Sequence, residues 1–83
     1  MATIIRVDGS REELTNLSLG SLQQAVGGYI EPVRLPTGEL MYIDEDGMFK
    51  GKEINQDISL LLGAIVVGDV VILSAEEEKK DEG

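Results

Sequence analysis

Apolar and polar positions change period several times along this chain, and each change marks an element. Ala2 to Val7 is β-branched and isoleucine-rich and runs into Asp8-Gly9, a turn pair, which predicts a first strand. Gly9 to Leu17 sustains neither period. Ser10-Arg11-Glu12-Glu13 has capping-box spacing, but Leu14-Thr15-Asn16 does not continue a helix, so a single turn or an irregular loop is expected. Leu19, Leu22 and Val26 then recur at helical spacing, with Ser18 or Ser21 as N-cap and Gly27 at the C-cap, where positive φ is easily adopted.

Tyr29 to Leu35 reads as extended, and Pro32, which has no N–H for a ladder, predicts an edge or a bulge. Pro36-Thr37-Gly38 is a turn, followed by a strand from Glu39 to Ile43. Asp44-Glu45-Asp46-Gly47 is expected to form a tight hairpin returning into Met48-Phe49-Lys50. Asn55 caps a second helix over Gln56 to Leu62, with Ile58, Leu61 and Leu62 facing inward and Gly63 ending it. Ala64 to Leu73 is almost wholly apolar. Gly68-Asp69 is read as a turn before a last strand, Val70 to Leu73, because a carboxylate inside a buried strand is unfavourable. The fold expected is α+β: a small mixed or antiparallel sheet of four to five strands with two short helices on one face. It forms a single domain over residues 1–75, with a disordered acidic tail over 76–83.

Composition narrows the chemistry. The chain has 83 residues with no cysteine, histidine or tryptophan, so thiol chemistry, disulfides, Cys/His zinc sites and histidine-based triads are excluded. An apolar content of 42% predicts folding despite a net charge of −9. The tail holds five acids and two lysines, leaving a net of −6 before Glu76. Nucleic acid is therefore disfavoured as a partner, since Arg6, Arg11, Arg34, Lys50 and Lys52 are scattered; a local patch of Arg34, Lys50 and Lys52 is the exception to test. No run approaches the roughly 18 apolar residues of a membrane span, and nothing resembles a secretory signal, so a cytoplasmic location is expected.

Each motif has a plain structural reading. With Gly47 at the glycine position of a calcium loop, Asp44, Asp46 and Glu53 fall on ligand positions, but Tyr42 stands where the first aspartate belongs. A polar turn is expected and no metal is assigned. Gly27-Gly28-Tyr29 follows a helix instead of opening one, so it reads as a C-cap and not a phosphate cradle. The carboxylate pairs Glu12 with Glu13 and Glu31 with Glu39 suggest no assembled acid and base, no cofactor is implied, and no enzyme activity is expected.

The run Leu22-Gln23-Gln24-Ala25-Val26-Gly27-Gly28-Tyr29-Ile30-Glu31 resembles the signature of a family of small uncharacterised domains from bacteriophages, plasmids and bacteria. Asp44-Glu45-Asp46-Gly47, Asn55 and Gly68-Asp69-Val70-Val71 take the places of that family's acidic turn, Asn-led helix and closing strand, from about Leu19 to Leu73. Asp44-Glu45 stands where the family commonly has Asn-Glu, and Glu53-Ile54 where it has Leu-Pro. The resemblance implies an accessory protein of a mobile element, with host interaction or counter-defence as its job, in the host cytoplasm if phage-encoded.

The functional expectation is a noncatalytic binding module for a host protein or a small nucleotide-like ligand. Tyr29, Glu31, Arg34 and Tyr42 are the candidate binding residues, being polar or amphipathic on adjacent strands where they would share one face. Two rivals are a structural protein that self-associates as a homodimer through the apolar C-terminal strand, and an acidic DNA-mimic inhibitor.

Overall fold

The computed structural model describes residues 2–73; the expected tail over 76–83 lies outside them. Five strands and two helices follow one another as β1 (Ala2–Ile5), β2 (Arg11–Leu14), α1 (Leu19–Val26), β3 (Ile30–Arg34), β4 (Leu40–Asp44), α2 (Gln56–Leu62) and β5 (Val70–Leu73). The strands form one sheet in the order β2-β1-β5-β4-β3, and every neighbouring pair is antiparallel. The α+β class is as expected.

Local signals account for most boundaries. The Ser18 hydroxyl accepts from the Ser21 N–H to start α1, and Gly27 ends it at φ 82°. The Asn55 carboxamide accepts from the Ile58 N–H to start α2. Pro32 lies on β3, at the sheet edge that its missing N–H predicts.

The helices, however, cover opposite faces of the sheet and not one. Ala2 and Ile4 of β1 and Val71 and Leu73 of β5 pack with Leu22 and Val26 of α1. The alternate residues Ile5 and Val70, joined by Met41 of β4, pack with Ile58 of α2. Since successive side chains of a strand point to opposite faces, each central strand supplies two cores and needs apolar residues at nearly every position. That requirement explains the unbroken Val70-Val71-Ile72-Leu73. Leu19 and Leu61, both expected to face inward, are exposed.

Three further expectations change. Residues 11–14 form a strand instead of a turn or irregular loop: Gly9 at φ 89° and hydrogen bonds from the Ser10 N–H and hydroxyl to the Asp8 carboxylate close a hairpin that sets Ile5 opposite Arg11. Those bonds also hold the Asp8 carboxyl below its ordinary pKa. Residues 48–50 are not a strand. Gly47 does not adopt positive φ, so no primed turn forms, and the chain instead coils through 45–51 with bonds from the Gly47, Lys50, Gly51 and Lys52 N–H groups to the Asp44, Asp46, Met48 and Gly47 carbonyls.

The third concerns self-association through the last strand. β5 is the central strand, bonded to β1 on one side and β4 on the other, and has no free edge to offer a second copy. Val66, Val70, Val71 and Leu73 are buried, whereas Ile65 and Leu60 are exposed, so only part of the apolar surplus near the C-terminus is interior.

Candidate functional site

Asp44, the last residue of β4, is one of two buried polar residues in the described structure, with Asn55. Its side chain has no solvent exposure. Oδ2 accepts from Lys50 Nζ at 2.9 Å and lies 2.6 Å from Lys52 Nζ, while Oδ1 accepts from the Asp46 N–H at 2.9 Å. Burial raises the pKa of this carboxyl, but the bonds from Lys52, Lys50 and the Asp46 N–H outweigh it and bring the value down to about 2.

Both lysines continue to the C-terminus of α1. Lys52 donates to the Val26 carbonyl at 2.6 Å and Lys50 to the Gly27 carbonyl at 3.1 Å. Carbonyls that a helix end leaves unpaired thus receive cations, the favourable sign at the negative end of the helix dipole. The close approach requires glycine: a Cβ on Gly28 would lie 2.5 Å from Lys50 Nζ and 2.7 Å from Asp44 Oδ1, and one on Gly68 would lie 2.9 Å from Lys52 Cδ. The two lysines therefore brace the 45–51 turn against α1 and do not form a basic patch with Arg34. Asp44 is engaged by two ammonium groups, which leaves no calcium loop; no group of three metal-ligating side chains occurs among the described residues.

The brace holds an apolar tip in water. Phe49 is 94% exposed and Met48 72%. Tyr29, whose carbonyl accepts from the Glu45 N–H, is 68% exposed at the same end of the molecule. Two of the three aromatic residues therefore lie outside the core. Beside Tyr29, at the end of α1, is a concavity of about 430 Å³ lined by Gln23, Gly28, Tyr29, Asp46 and Lys50.

The four residues singled out from the sequence do not share a face. In the β3–β4 register Pro32 opposes Tyr42 and Arg34 opposes Leu40, which sets Arg34 and Tyr42 toward α1, whereas Glu31, opposite Ile43, points toward α2. Tyr42 is half-buried against the α1-side core, and Arg34 donates to the Gly38 carbonyl at 3.0 Å. Only Tyr29 lines the concavity. The alternation that the sequence argument relied on starts at Ile30, one residue after Tyr29, and it separates Glu31 from the other two. Gln23 and Phe49 were not among the sequence candidates, and Lys50 entered only through a patch with Arg34 and Lys52; the placing of Lys50 and Lys52 directly after an acidic turn in a base-poor chain was the available signal for the contacts they make.

Comparison with protein-family profiles matches residues 1–82 to a domain of unknown function, DUF3846. The chain belongs to the DUF3846 family. No curated protein and no solved structure matches it. In this DUF3846 chain the residues that carried the resemblance converge on the framework: Gly27 and Gly28 admit the lysines, Asp44 receives them, and Asn55 and Asp69 tie distant segments. Asn55 is buried and donates to the Ile5 and Gly68 carbonyls at 3.0 and 3.1 Å. Asp69 accepts from the Val7 N–H and pairs with Arg6. These residue types at these places explain how the fold of this chain closes.

Proposed function

We propose that this DUF3846 chain is a noncatalytic binding module that engages a host protein through the apolar tip of the 45–51 turn. The exposure of Phe49 carries the reading. A large apolar side chain kept in water on a turn braced by Asp44, Lys50 and Lys52 is preorganised as an interface anchor, and its burial contributes about 1.5–3 kcal/mol. The net charge of −9 favours a basic protein surface over nucleic acid as partner. The resemblance to small phage and plasmid domains supports an accessory role for a mobile element, acting in the host cytoplasm.

Several carboxylates that acid–base chemistry would need are engaged elsewhere: Asp44 with Lys50 and Lys52, Asp69 and Glu12 with Arg6. Glu31 and Glu39 stand four residues apart along the β3–β4 ladder, about 13 Å, too far to act as a pair. The test immobilises the full chain, wild type and Phe49→Ala, in host lysate. A protein retained by the wild type and lost by the variant, at unchanged melting temperature, is the expected result; equal retention by both sinks the reading.

A further inference from the structure

We propose that the concavity between the last turn of α1 and the 45–51 turn binds a small planar heteroaromatic of low charge, of the nucleoside or nucleoside monophosphate class. This deepens the small-ligand side of the binding-module reading and does not depend on the Phe49 contact.

The wall offers four complementary chemistries within about 430 Å³. Tyr29 presents an exposed aromatic ring, a stacking platform indifferent to which base lies on it. The Gln23 carboxamide offers a donor and an acceptor, and the Asp46 carboxylate offers acceptors only; neither side chain makes a hydrogen bond among the described residues. Lys50 adds a donor fixed in place. Two of its three N–H groups are taken by Asp44 and the Gly27 carbonyl, and the third remains on a side chain that is 42% exposed. A heteroaromatic ring with amino and carbonyl edge groups matches Tyr29, Gln23 and Asp46, and a single phosphate or ring carbonyl matches Lys50.

The charge balance limits the class. One partly neutralised ammonium beside Asp46, on a chain of net charge −9, opposes a triphosphate or a polynucleotide far more than a nucleoside. Affinity is therefore expected to fall from monophosphate to triphosphate, the reverse of the order at a phosphate-cradling site.

Titration of the full 15N-labelled chain with adenosine, guanosine, uridine, AMP and ATP, followed by NMR, tests this. The expected result is saturable shifts at the Gln23, Gly28, Tyr29 and Asp46 amides, with AMP binding more tightly than ATP. Tyr29→Ala should weaken binding about tenfold or more, Tyr29→Phe should retain it, and Gln23→Ala should change the preference among bases. Phe49→Ala should bind as the wild type does, which separates this site from the protein contact. No saturable shift at these amides up to about 10 mM of any probe overturns the proposal, as does a response unchanged in Tyr29→Ala or a preference for ATP.

Discussion

Lys52 Nζ lies 2.6 Å from Asp44 Oδ2, at a carboxylate with no solvent exposure, and this pair joins the turn after β4 to the end of α1. Because the folded-state pKa of Asp44 is depressed, its stabilisation is fully present above the ordinary value of 3.8 and is lost as pH falls toward about 2. The pair of values corresponds to about 2 kcal/mol. Urea unfolding at a series of acid pH values should show this decline in the wild type and a shallower one in Asp44→Asn. Parallel curves for the two proteins would exclude Asp44 as its source.

Gly28→Ala should destabilise by about 1–3 kcal/mol, because the added methyl group would enter the space of Lys50 Nζ and the Asp44 carboxylate. The φ of Gly28 is not positive, so the loss comes from displaced side chains and not from the backbone. Gly20→Ala, with open space around its Cβ, is the control and should be neutral or slightly stabilising when thermal unfolding of the two is compared.

Asn55→Ala should be among the most damaging polar substitutions. It removes the cap of α2 and leaves the Ile5 and Gly68 carbonyls buried without their donor, for a loss of about 2–4 kcal/mol. Asn55→Asp restores the cap acceptor but not the two donors. Denaturant midpoints should place it close to the alanine variant and well below the wild type.

Two large apolar side chains of similar chemistry should separate sharply. Met41→Ala opens a cavity at a fully buried site between the sheet and α2 and should cost about 2–5 kcal/mol. Met48→Ala, on the exposed tip, should stay within about 0.5 kcal/mol of the wild type. Calorimetric melting of both variants checks the contrast, and a comparable loss at Met48 would show that the tip supports the fold instead of standing free of it.

Short-range chemistry was legible from residue order alone. Ser18 and Asn55 as caps, Gly27 and Gly63 as helix ends, Pro32 on an edge strand and the turn at Gly68-Asp69 each follow from groups a few residues apart, whose geometry the backbone dictates locally. The 11–14 strand was hidden because an edge strand reading Arg-Glu-Glu-Leu has little buried face to imprint a period. The apparent hairpin at Asp46-Gly47 gave way to a coil because the Asp44 side chain bonds back to the Asp46 N–H and receives two lysines from further along the chain. Long-range contacts decided the rest. The two-sided sheet depends on β5 inserting between β1 and β4, some 70 residues from one of them in sequence, and no local pattern specifies that neighbour. The contact between the end of α1 and the turn after β4 brings Lys50 beside Gly27 and Gln23 beside Asp46, and so makes a concavity around Tyr29 from segments that sequence order keeps apart.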